Sequence, residues 1–181
     1  MKKVNVGIIF SMMISPKKTF NEGVNKTKWY FSLIVSGMAF GLFFLQTGMD
    51  LYKTGQKNIL FVIFSGIIGL GYGIIIIPFI GVLVWLFLKI FKSTKTIQWS
   101  ISTICLSYSG GLIYGILGII FSLVFGWKTS IAFGVTGMLW AIRPMILSVK
   151  EMANGKLAIS VVITTMISVF VLVSWSLFGQ I

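Results

Sequence analysis

Long apolar runs separated by short polar or basic stretches set the pattern of this chain. "WYFSLIVSGMAFGLFFLQTGM" fills 29–49, and similar runs occupy about 99–125, 129–147 and 157–178. An α-helix rises about 1.5 Å per residue and a bilayer core is about 30 Å thick, so about 20 residues make one crossing. Each of these four runs therefore predicts one membrane-spanning helix. Trp29, Trp99 and Trp127 stand near run ends, where an apolar ring with one wet edge suits the headgroup level. The remaining run is harder to count. Ile59 to Leu88 holds no charged residue; the run ends at Lys89, and the span it predicts covers about 59–91. That is long for one upright helix and short for two, although "GLGYG" at 69–73 reads as a possible turn.

Charge decides the count. The chain carries 15 Lys and Arg against three Asp and Glu, a net charge of +12. With a cytoplasmic N-terminus and one crossing at 59–91, Lys2, Lys3, Lys17, Lys18, Lys26, Lys28, Lys89, Lys92, Lys95, Arg143, Lys150 and Lys156 fall inside. Only Lys53, Lys57 and Lys128 fall outside. A hairpin at 59–91 would move every later loop to the other side and divide the basic residues almost evenly. The positive-inside bias selects the single crossing. That crossing is expected to be tilted, kinked or partly interfacial, with "GLGYG" and Pro78 as places to bend. The fold expected is an all-α integral membrane protein, a five-span helical bundle over 29–181. It is preceded by a short amphipathic, basic cytoplasmic segment at 1–28, and the C-terminus lies outside.

Composition agrees. Hydrophobic residues make up 57% and charged residues 10%, where soluble domains average about 25% charged. The mean hydropathy is +1.01. No polar stretch is long enough for a separate aqueous domain. The basic residues lie in short clusters between apolar runs rather than on one solvated face, so nucleic acid is not an expected partner. The placement is that of topology signals and of contact with anionic lipid headgroups. Cys105, the one cysteine, lies inside an apolar run and reads as a packing residue. Lys2 and Lys3 precede "VGIIFSMMI", but "SPKKTF" follows with no small-x-small cleavage site, so the segment is expected to remain in the mature protein.

Candidate chemistry is sparse. His is absent and Glu22, Asp50 and Glu151 are the only acids; all three read as loop or terminal residues. Zinc sites, triads, carboxylate pairs and intramembrane proton relays lack material, so no enzyme activity, metal or cofactor is expected. "GYG" at 71–73 resembles a potassium filter, but apolar residues flank it on both sides. Gly37 and Gly41, Gly69 and Gly73, and Gly111 and Gly115 repeat at spacing four. On a helix each pair shares a face and lets two backbones approach, within the bundle or in a homo-oligomer. Arg143, beside Pro144, is the one charge inside a run. It reads as an anchor that snorkels to the inner headgroups, or as part of a partner groove. In "VGIIFSMMISPKKTFNEGVNKTK" an apolar patch, Pro16 and a basic stretch predict one or two short helices on the cytoplasmic surface, docking on lipid or on a partner.

Two stretches carry a family likeness. "SPKKTFNEGVNKTKWYFSL" places Pro16, Thr19 and Phe20 ahead of Trp29 at the first span, and "MLWAIRPMILSVKEMANGKLAI" places Trp140, Lys150 and Lys156 across the fourth span and the start of the fifth. In these features and in its five-run layout the chain resembles the Yip family of Ypt/Rab-interacting membrane proteins, in its bacterial branch. It departs in lacking "DLYGP", in having "KIFKSTKTIQW" after the second span, and in having "YSGG" in the third. The resemblance implies a non-enzymatic scaffold or accessory protein in the bacterial cytoplasmic membrane, partnering an exporter of the ABC type or a toxic-peptide resistance system. The cytoplasmic contact set would then be Lys17, Lys18, Lys26, Lys28, Lys89, Lys92, Lys95, Arg143, Lys150 and Lys156. A small channel or permease subunit conducting through the Gly-rich second and third spans is the alternative. A lipid-acting enzyme is a more distant one.

Overall fold

The computed structural model describes residues 6–24 and 27–179. Among these, seven helices follow one another: α1 (Gly7–Ile14), α2 (Pro16–Glu22), α3 (Trp29–Lys53), α4 (Ile59–Lys89), α5 (Ile97–Val124), α6 (Ser130–Met152) and α7 (Leu157–Phe178). The last five are each long and apolar enough to cross a membrane.

Local chemistry fixes several helix starts. Asn58 accepts a hydrogen bond from Phe61 N (3.0 Å) to cap α4, and Thr96 accepts one from Trp99 N (3.2 Å) to cap α5. Each side chain satisfies a first-turn N–H that has no partner within the helix. Pro16 opens α2, where its missing N–H costs nothing.

The 59–91 run forms one continuous helix ending at Lys89, not a hairpin. "GLGYG" leads into a π-helical segment, Tyr72–Ile76, and α-helix resumes with Pro78 in its first turn. Pro78 cannot donate to Ile74 O and its ring crowds that carbonyl, so a widened turn just ahead accommodates it within a continuous helix. The fourth run behaves similarly but is longer than its hydropathy indicates. It opens as a π-helix (Ser130–Val135), breaks at Ala141 three residues before Pro144, and continues to Met152, past the expected end at 147. The first run likewise extends to Lys53. Polar residues at helix ends keep backbone hydrogen bonding while reducing local hydropathy, so an apolar-run boundary falls short of the helix end.

Helix α3 is the centre of the bundle and is buried on most sides, whereas α4 and α7 are peripheral. Its face toward α4 includes Gly37, Gly41, Gly48 and Ser36, which lets the two backbones come close. Across the middle of the bundle Phe40 stacks edge-on to Tyr108 (4.8 Å between centroids) and lies 5.1 Å from Tyr72. Closer to the Lys53 end, Phe43 stacks on Trp175 at 5.1 Å and Phe44 meets Phe178 at 4.8 Å, which attaches α7. Hydroxyl and amide groups link the helices: Ser36 Oγ to Gly73 O (2.8 Å), Ser100 Oγ to Gly81 O (2.8 Å), Ser148 Oγ to Thr103 Oγ1 (2.6 Å) and Gln46 Nε2 to Gly115 O (2.9 Å). In a dry apolar interior such groups have only protein partners.

Helices α1 and α2 form a tight antiparallel pair, joined by Ser11 and Thr19 hydroxyls 2.7 Å apart. They pack against α5 and α6. Ile8, Ile9, Met12, Phe20 and Val24 enter the same core as the bundle, with the Phe20 ring 5.7 Å from Trp99. The amphipathic segment expected to lie along a surface thus has a protein floor. Val6, Phe10 and Ile14, at i, i+4 and i+8, stay exposed as an apolar outer stripe. Apolar residues on both faces of α1 explain why it packs as part of the bundle instead of floating beside it.

Candidate functional site

The helix ends sort the basic residues into two groups. Trp85 Nε1 donates to Lys95 O (2.9 Å), Lys95 Nζ pairs with Glu151 (3.1 Å), and Asn154 Nδ2 donates to Phe91 O (2.8 Å). These contacts bring the α4–α5 and α6–α7 connections to one end, beside α2. Lys17, Lys18, Lys28, Lys89, Lys92, Lys95, Lys150 and Lys156 belong to that basic end. Lys53, Lys57 and Lys128 lie at the opposite end with the α3–α4 and α5–α6 connections. Lys26 lies outside the described residues.

The cations at the basic end differ in what holds them. Lys89 lies 5.0 Å from the Trp85 ring and donates to Ser93 O, Lys95 lies 4.8 Å from Trp99, Lys156 4.8 Å from Phe91 and Lys28 5.4 Å from Tyr30. A cation over a ring face is oriented and partly satisfied, with its charge still open to an anion. The side-chain cations of Lys17, Lys18, Lys92, Arg143 and Lys150 have no hydrogen bond or ion pair among the described residues. Three of these five meet. Lys17 and Lys18, at the α1–α2 turn, and Arg143, two residues beyond the α6 break, line one open groove of about 820 Å³. Its walls are Ile14, Leu139, Ile142, Ile146 and Leu147. An adjoining hollow of about 400 Å³ carries Lys17, Lys150 and Glu151. The proximity of Arg143 to Lys17 and Lys18 was not visible in the sequence, because it depends on the α1–α2 pair docking beside α6.

The glycine faces are occupied by helices of the same chain. Added Cβ atoms would lie 2.7 Å from Ile74 Cγ1 at Gly37, 2.9 Å from Leu70 Cδ2 at Gly41, 2.7 Å from Phe44 Cβ at Gly69 and 2.6 Å from Gly37 Cα at Gly73. At Gly111 a Cβ would meet Met138 Cε at 2.9 Å, and at Gly115 Leu42 Cβ at 2.8 Å. Gly71, central to the filter-like triplet, has nothing within 4 Å. Gly137 against Gly111 (2.9 Å to its Cα) and Gly110 against Trp140 (2.7 Å to its Cβ) form a further close approach, between α5 and α6, that single-run spacing does not reveal.

Asp50 was read as a loop acid, but it belongs to the last turns of α3 and is buried. Its carboxylate accepts from Thr129 N (2.9 Å) and Ser130 N (2.8 Å) at the start of α6. Lys53, one turn later, donates to Ser122 O (2.7 Å), Ser122 Oγ (2.6 Å) and Trp127 O (2.9 Å). Together they clamp the α5–α6 connection. An Asp and a Lys three apart at the end of an apolar run was the available signal.

No family model, curated protein or solved structure matches the chain.

Proposed function

We propose that the protein is a non-enzymatic, multi-pass membrane scaffold or accessory protein that presents its basic end to anionic headgroups and to a membrane-protein partner. The observation that carries the reading is the gathering of cations at one end of a five-helix apolar bundle, several of them without a counter-charge among the described residues. Positive charge at a membrane surface draws anionic lipid at about 1 kcal/mol per residue. On this reading the basic end is cytoplasmic in a bacterial membrane and the Phe178 end of α7 lies on the outer side. The Yip-like layout of the sequence supports a partner-binding role, with an ABC-type exporter as the partner.

Co-purification from native membranes in mild detergent, with cross-linking and mass spectrometry, tests the partner. A transporter subunit recovered in amounts comparable to the chain is the expected result. Reversing Lys92, Lys150 and Lys156 to Glu should reduce that recovery several-fold while leaving membrane insertion intact. Recovery of the chain with no companion, or recovery insensitive to the reversals, contradicts the reading.

A further inference from the structure

We infer that the groove between the α1–α2 turn and α6 holds one anionic phospholipid, its phosphate among Lys17, Lys18 and Arg143 and an acyl chain against Ile14, Ile142 and Ile146. The inference rests on the basic end facing the lipid headgroups and adds a discrete site to it. Charge complementarity is the first argument. The three cations are exposed, have no counter-charge among the described residues, and no carboxylate lines the groove. Glu151, in the adjoining hollow, is already paired with Lys95.

The second argument is where the groove opens. Leu139 lies in the middle of α6 and Ile14 at the end of α1, and both remain exposed. The groove therefore opens on the flank of the bundle, where hydrocarbon chains would lie, and not only at its tip. A soluble phosphate gains nothing from such apolar walls, whereas a lipid fills both halves at once. Arg143 lies nine residues before Met152, about 14 Å along the helix. An Arg at that depth is accommodated by reaching toward the surface and by an anionic partner. Lys17 and Lys18, supplied by the docked α1–α2 pair, complete a cradle that α6 alone does not make.

Native mass spectrometry of the full chain, from micelles doped equally with phosphatidylglycerol and phosphatidylcholine, tests the site. The expected result is one phosphatidylglycerol retained per chain in preference to phosphatidylcholine. A Lys17→Gln, Lys18→Gln, Arg143→Gln variant should retain at least about ten-fold less. Ile142→Trp, which fills the groove and leaves every charge in place, should also lose the lipid. Equal retention of both lipids by the wild type overturns the site. Loss in the charge variant with full retention in Ile142→Trp also overturns it, while leaving a diffuse basic face intact. Unchanged retention in both variants overturns the site and the headgroup role of these three cations together.

Discussion

Asp50 shows how much one side chain can hold when its partners are backbone amides. Two consecutive N–H groups, of Thr129 and Ser130, point at its carboxylate, and both bonds are buried. The start of α6 has no preceding helical carbonyls to satisfy them, so the acid acts as a cap donated by another helix. Asp50→Ala leaves both amides unsatisfied in a dry setting and should cost about 1.5–3 kcal/mol. Asp50→Asn retains an acceptor oxygen and should cost less. Thermal unfolding in mild detergent reads the difference, and an alanine variant melting with the wild type would contradict the assignment. The sequence shows Asp50 at the end of an apolar run, but its partners lie 79 and 80 residues away. Nothing local encodes that pairing. Arg143 poses the same problem: its presence within a run was readable, whereas its neighbours Lys17 and Lys18 come from a separate helical turn.

Between helices, glycine decides how near two axes come. Four glycines line the α3–α4 contact: a Cβ at Gly69 or Gly73 on α4 would collide with the α3 backbone, and one at Gly37 or Gly41 on α3 would meet the Ile74 or Leu70 side chain. Gly69→Leu or Gly73→Leu should force the helices apart, at a cost of about 1–3 kcal/mol or more. Gly71→Leu should be tolerated, since that position faces open space. Melting temperature and monodispersity on size exclusion separate the cases; a Gly71 variant as damaged as the Gly73 variant would contradict the packing. Spacing four in the sequence puts each pair on one helix face, but leaves its partner open between this chain and a second copy. The α4 bend was legible too, since "GLGYG" and Pro78 are local breakers, and the π-helical turn falls between them. The fate of α1 was not. Its apolar residues cover both faces, and only the shape of the α5–α6 surface determines that Ile8, Ile9 and Met12 turn inward.

At the scale of the molecule, the other four spanning helices pack around a largely buried α3, and the loops divide the basic residues between two unequal ends. That architecture was readable because hydrocarbon thickness fixes helix length and charge asymmetry fixes the parity of crossings. Substituted-cysteine labelling in intact cells tests the arrangement most directly. Cys105 is fully buried, so the background is low. Thr94→Cys and Lys156→Cys report the basic end, and Gln56→Cys and Lys128→Cys the opposite end; all four positions are exposed in loops. A membrane-impermeant maleimide should label Cys at 56 and 128 in intact cells, and Cys at 94 and 156 only after the membrane is opened. Labelling of 94 and 156 from outside would invert the protein and remove its basic end from the cytoplasmic leaflet. Labelling of 56 and 94 from the same side would replace the single α4 crossing with a hairpin and contradict the five-helix account.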